Sequence, residues 1–235
     1  MDLGSLKALN AARHARRAVM LLTDLGEGRE RVIAPGDAVE GGLDSAVGDA
    51  FRSGKSRVVE TGGRKFFLNV HLPPPRLVVI GAVHVSQALA PMAEIAGYDM
   101  EIIDPRTAFA TQERFPDVRF HAEWPEDVLK ARPLDAFTAV AALTHDPKID
   151  DYPLREAILA DCFYVGALGS RKTHAARVSR LKATGLSDAQ IGRIHAPIGL
   201  DIGAASPAEI AVAVLGEVIS ALRKHGPEQG KTGKA

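Results

Sequence analysis

Residues 77–104 read LVVIGAVHVSQALAPMAEIAGYDMEIID. Leu77 to Ile80 is a continuous aliphatic run, as expected of a strand buried on both faces. Gly81-Ala82-Val83 follows as a tight turn. Val85, Leu89, Met92 and Ala96 then recur at helical spacing and place a helix over about His84 to Ile95. Met100 to Ile103 is a second aliphatic strand, and Asp104 closes it. Strand, glycine turn, helix, strand and terminal acid make the opening unit of a nucleotide-binding α/β domain. One residue departs from the pattern. The dinucleotide fingerprint has glycine where this chain has Val83, and a β-branched side chain there obstructs the close approach of a pyrophosphate to the backbone.

The same alternation continues downstream. Val118 to His121, Asp135 to Ala142 and Cys162 to Val165 read as strands, with helices near Glu126 to Ala131 and Tyr152 to Ala160 between them. The expected fold class is therefore α/β, a Rossmann-type parallel, doubly wound sheet. The last helix opens with Ser206-Pro207-Ala208-Glu209, a capping serine, proline at the first helical position and a glutamate that closes a capping box. Ile210, Ala211, Val214, Leu215, Val218, Ile219 and Leu222 form its apolar stripe.

Upstream, Pro73-Pro74-Pro75 stiffens the chain and removes backbone donors, as a linker would. Before it lies a small α+β region. Residues 3 to 14 and Leu43 to Arg52 read as helices. Ala18 to Leu25, Arg31 to Ala34, Arg57 to Glu60 and Lys65 to His71 read as strands, with a turn at Gly62-Gly63. The expected organisation is an N-terminal domain over 1–72, a Rossmann-like domain over 73–225 and a disordered polar tail over 226–235.

Composition narrows the class further. The 235 residues are 46% hydrophobic and 25% charged, with a formal net charge of zero. That balance suits a globular protein and gives no general attraction to nucleic acid or a membrane surface. A single cysteine, Cys162, excludes an internal disulfide and a Cys-rich zinc site, and suits a reducing compartment. It reads as a core residue rather than a nucleophile. No apolar run near the N-terminus has the length of a signal peptide or membrane span, so the expected location is the cytoplasm.

Ligands of an open parallel sheet bind outside the carboxyl ends of its strands. Gly81-Ala82-Val83-His84 is the first loop expected there. Asp104 and Arg106 are the second, an acid suited to a ribose hydroxyl beside a cation suited to phosphate, or else an ordinary Asp-Pro turn. His145 and Asp146 follow a strand and suit ligand contact or proton transfer, or else local packing. Gly169-Ser170-Arg171-Lys172 leads from a strand into a helix capped by Ser170. Free backbone N–H groups, the helix dipole and two cations there make an anion site. Between Ala167 and His195 stand six Lys/Arg residues against one acid, Asp188; a solvated basic helix face is the plainer reading of that excess. Gly199 and Asp201 belong to a glycine-punctuated loop, His195 to Gly203, which either shapes a site or merely connects. No arrangement of catalytic residues or metal ligands stands out.

HLPPPRLVVIGA, IIDPRTAFATQERFP, LTHDPKIDDYPL, YVGALGSRKTHAARVSRL and IHAPIGLDIGAASPAEIAVAVLGEVI, taken in order, resemble the XdhC/CoxI family. The resemblance covers most of the chain after residue 66. It implies an N-terminal XdhC/CoxI region, a C-terminal Rossmann domain and a maturation role without turnover of its own. Such a protein binds molybdenum cofactor, supports its sulfuration with a cysteine desulfurase and delivers it to an apo molybdenum hydroxylase such as xanthine dehydrogenase. It also implies homodimerisation. On this reading the loops named above hold the cofactor, with its phosphate at Ser170-Arg171-Lys172 and its pterin edges at His145, Asp146 and Asp201.

The chain departs from the family pattern at Val83, where members usually have glycine. It departs again at Leu43-Asp44-Ser45, where members commonly carry a small residue or cysteine and then glutamate. Two alternatives remain. One is an NAD(P)-dependent oxidoreductase, which Val83 opposes; the other is a divergent paralogue that keeps only an interaction role.

Overall fold

The computed structural model describes residues 2–106 and 114–224. The chain divides into two compact units between Pro73 and Pro74.

The first unit contains α1 (Leu3–His14), β1 (Val19–Asp24), β2 (Glu30–Ile33), α2 (Asp44–Ser53), β3 (Arg57–Thr61) and β4 (Arg64–His71). Its four strands form an antiparallel sheet in the order β2-β1-β4-β3. Leu43 is buried as the residue preceding α2, while Asp44 accepts a hydrogen bond from the Val39 amide and Ser45 is exposed.

The second unit contains β5 (Arg76–Ile80), α3 (His84–Ile95), β6 (Asp99–Ile103), β7 (Arg119–His121), α4 (Pro125–Ala131), β8 (Thr138–Ala142), α5 (Pro147–Leu159), β9 (Tyr164–Ala167), α6 (Arg171–Ala183), α7 (Asp188–Ile191), β10 (Ile194–His195) and α8 (Pro207–Lys224). All its strand pairs are parallel, in the order β10-β9-β8-β5-β6-β7. That is the doubly wound arrangement of a Rossmann domain, in which the winding direction reverses between the first strand and the fourth. Here the reversal falls between β5 and β8.

Strand β5 shows how the sequence makes the two cores. Leu77 and Val79 pack with α3 and α8 on one face. Val78 and Ile80, pointing the other way, pack with α4, α5 and Leu181 of α6. Both faces are covered, which is why the strand reads as unbroken aliphatics.

Several boundaries differ from the sequence expectation. Helix α5 starts at Pro147, five residues before Tyr152, because Asp146 caps it and Pro147 takes its first position. Strand β9 runs two residues later than the aliphatic run suggests. Ala96 and Ile219 are exposed rather than on the core faces of their helices; Ala93 and Val218 occupy those places. The tail expected over 226–235 lies outside the described residues. Among the described residues, no helix is long and apolar enough to cross a membrane.

Candidate functional site

The β5 and β8 loops meet at the reversal point. A Cβ on Gly81 would stand 2.9 Å from Thr144 Cγ2, and Gly81 has φ +119°. Only glycine serves there, for both space and backbone conformation. The first turn is tied into the fold by its own bonds. The Gly81 amide donates to Ile103 O, the Ala82 amide to Asp104 Oδ2 and the Val83 amide to Ser86 Oγ. These three amides are used internally, while those of His84 and Val85, the first of α3, have no acceptor within the described chain. Val83 is half-buried and His84 is exposed at the start of α3.

Asp104 is fully buried and accepts four hydrogen bonds, one from Ala82 and three from Arg106. Burial pushes its carboxyl up, but those donors outweigh it and hold it below its ordinary value. The pair fastens the second loop to the first. It does not present an open carboxylate to a ribose.

The next two loops converge. His145 is exposed in a left-handed conformation, φ +63°, uncommon for a residue with a side chain. Its Nδ1 lies 3.8 Å from where a Cβ on Gly169 would stand. Asp146 caps α5 through Oδ1, which accepts from the Lys148 amide at 2.9 Å. A buried brace lies beneath both loops. Thr144 Oγ1 donates to Asp150 Oδ1 at 2.7 Å and accepts from the Asp146 amide, so Asp150 holds the β8–α5 loop. Arg177 Nη2 donates to Leu168 O at 3.0 Å, holding the β9–α6 loop. Both side chains are almost wholly buried. Burial pushes Asp150 up to about 6, against the lowering pull of Thr144 and Arg177. Asp150 Oδ2 and Arg177 Nε and Nη1 have no hydrogen-bond partner within the described chain.

The start of α6 is open. Ser170 Oγ accepts from the Thr173 amide at 3.2 Å, as a cap should. The amides of Gly169, Ser170, Arg171 and Lys172 have no acceptor within the described chain. Arg171 and Lys172 are exposed. The other basic residues of this region are spoken for. Arg180 pairs with Asp151, Lys182 with Asp188 and Arg193 with Asp161, while Arg177 is buried. Two uncommitted cations and a run of free N–H groups therefore coincide at one helix start, and together they can hold a phosphate.

Gly199 and Asp201 divide. Gly199, φ +94°, presses against the α8 backbone, where a Cβ would stand 3.1 Å from the Val214 amide nitrogen, so it serves packing. Asp201 is exposed. Cys162 is buried and its thiol is pushed up by that burial, in keeping with a core role. Among the described residues no group of three or more His, Cys, Asp or Glu is placed to hold a metal ion.

Sequence reading missed Asp150, Arg177 and Glu217. A signal existed for Arg177: it stands four residues before buried Leu181 on the inward stripe of α6, where a cation must have a reason to be. Nothing comparable marked Asp150 or Glu217.

The sequence model of the XdhC Rossmann domain matches residues 77–218. Among curated proteins, Uncharacterized protein YqeB of Escherichia coli is 34% identical over 67% of this chain and 29% of its own length. Molybdenum cofactor insertion chaperone PaoD of Escherichia coli is 33% identical over 66% of this chain and 42% of its own. A probable xanthine dehydrogenase subunit from Bacillus subtilis is 30% identical over 65% and 44%. The chain thus spans less than half the length of each of these relatives. A crystal structure described as a xanthine dehydrogenase from Bacillus halodurans superposes with a TM-score of 0.67 at 21% identity. The superposition covers 95% of this chain and 68% of that one, a likeness of fold.

Proposed function

The chain belongs to the XdhC family, and on that premise we propose that it is a carrier of molybdenum cofactor for a molybdenum hydroxylase. The cofactor is cargo, bound and passed on without turnover by this chain. The observation that carries the proposal is the start of α6, where free amides from Gly169 to Lys172 meet Arg171 and Lys172. Molybdopterin ends in a phosphate and its dinucleotide form contains a pyrophosphate; either anion fits that receptor. His145 and Asp146, on the adjoining loop, lie on the side from which a pterin's donor and acceptor edges would be met. The relatives named for cofactor insertion and for xanthine dehydrogenase support this cargo and this class of client. Sulfuration with a cysteine desulfurase, a xanthine dehydrogenase client, homodimerisation and a cytoplasmic setting complete the proposal.

An NAD(P)-dependent oxidoreductase is the reading the first turn opposes, since Val83 stands where the dinucleotide fingerprint has glycine. Titrating the chain with molybdenum cofactor and, separately, with NADH, each followed by ligand fluorescence, tests the choice. Saturable cofactor binding is expected. Binding of NADH alone overturns the proposal.

A further inference from the structure

The loop from His195 to Gly203 takes no part in the contacts that build the α6 receptor, yet it carries a defined polar array. Glu217 reaches from α8 and accepts three hydrogen bonds. Tyr164 Oη donates to its Oε2 at 2.6 Å, the Gly199 amide to the same oxygen at 2.8 Å, and His195 Nδ1 lies 2.8 Å from its Oε1. Burial pushes the Glu217 carboxyl up, but the His195, Tyr164 and Gly199 donors outweigh it, so it lies below its ordinary value and is a carboxylate at neutral pH.

That charge state fixes the imidazole. A carboxylate only accepts hydrogen bonds, so Nδ1 of His195 must carry the proton. In the neutral ring the lone pair is then on Nε2, which has no partner within the described chain. The His195 side chain is 42% exposed, and its ring rests against Tyr164 with centroids 4.8 Å apart. Oε2 alone already satisfies buried Tyr164 and the loop amide. The bond from the half-exposed ring to Oε1 adds little to stability. What it does is hold one tautomer and one ring orientation, as carboxylates do for histidines that bind ligands. Strand register puts His195 beside Gly166, at the carboxyl end of β9 and three residues before Gly169. The His195 backbone thus lies near the carboxyl edge of the sheet, with its ring on the face that carries α8.

We infer that His195 is a further ligand-reading residue at this edge, its Nε2 accepting a hydrogen bond from an N–H, O–H or S–H donor of the bound molecule. The inference rests on the proposed function for the identity of that molecule. Glu217 is a positioning residue. Its carboxamide variant makes the idea testable. In Glu217→Gln the amide oxygen takes the place that Tyr164 and Gly199 require. The amide NH2 then faces Nδ1, which must become an acceptor, and the ring proton moves to Nε2. The variant keeps both structural bonds and turns the reading atom from acceptor into donor.

Long-range proton–nitrogen NMR of the imidazoles at pH 8, with His195→Ala to assign the signal, reads the tautomer in the ligand-free chain. The wild type is expected to show Nδ1–H and Glu217→Gln to show Nε2–H. Titration with molybdenum cofactor should then give about tenfold weaker binding for both variants, the worth of one hydrogen bond, with melting temperatures near that of the wild type. An Nε2–H tautomer in the wild type overturns the inference. So does unchanged cofactor affinity in both variants while the wild type binds, which leaves the proposed function standing. Absence of cofactor binding by the wild type overturns both.

Discussion

Asp150 should make the stability of this protein fall as pH rises, and the size of that fall follows from its environment. The carboxyl is buried beneath the His145 loop and its pKa is raised from 3.8 to about 6, chiefly by burial. A carboxyl with a raised folded-state pKa binds its proton more tightly in the folded chain than in the unfolded one. Its contribution is therefore full below pH 3.8 and is lost as pH rises through 6. Each pKa unit is worth about 1.4 kcal/mol, so the complete loss is about 3 kcal/mol, of which about 2 kcal/mol falls between pH 4 and pH 6. Other groups titrate in the same window, so the quantity to measure is a difference. Urea unfolding of the wild type and of Asp150→Asn, followed by circular dichroism from pH 4 to pH 7, gives two stability curves. Wild type minus variant should fall by about 2 to 3 kcal/mol across that range, whatever the constant offset from exchanging the neutral carboxyl for an amide. A flat difference would mean that Asp150 is solvated. A difference that rises with pH would mean that Arg177 engages it as a tight salt bridge and holds it low, and would refute the brace as described.

Two further outcomes follow from the same geometry. Gly81→Ala places a Cβ 2.9 Å from Thr144 Cγ2 at φ +119°; backbone strain and overpacking together should cost about 2 to 4 kcal/mol, read as a lowered melting temperature, and a change under about 0.5 kcal/mol would contradict it. Arg76→Met strands Glu101, which is buried with Arg76 at 2.6 Å and Arg132 at 3.1 Å. Removing one partner of such a buried cluster should cost about 3 to 5 kcal/mol in urea unfolding, and a neutral result would show Glu101 to be protonated or hydrated.

The fold was legible because its core elements repeat one simple pattern. The β5 run, the spacing of α3 and the capping box of α8 each specify their element locally, and the parallel order follows from their alternation. Strand ends were less legible. Cys162 and Phe163 look as strand-like as Tyr164, and only pairing with β8 decides which residues join the ladder. The site was legible in part. Ser170, Arg171 and Lys172 are marked by a local glycine-to-cap sequence that physics reads directly. The role of Asp104 was hidden, because an acid at a strand end looks the same whether it faces a ribose or closes on Arg106 two residues later. Asp150 with Arg177, and Glu217 with His195, are long-range pairs between different elements, and no local pattern reveals a partner 22 or more residues away.

The claim that the α6 start holds the phosphate end of the cargo has a direct test. Binding of molybdenum cofactor should be measured by fluorescence, at low and high salt, for the wild type and for the double variant Arg171→Ala/Lys172→Ala. Both side chains are exposed and form no ion pair in the described chain, so the fold should be unaffected. Two charge-assisted contacts at about 1.5 kcal/mol each predict binding weaker by about a hundredfold, with a shallower dependence on salt. Wild-type binding that survives the double substitution unchanged would contradict the account.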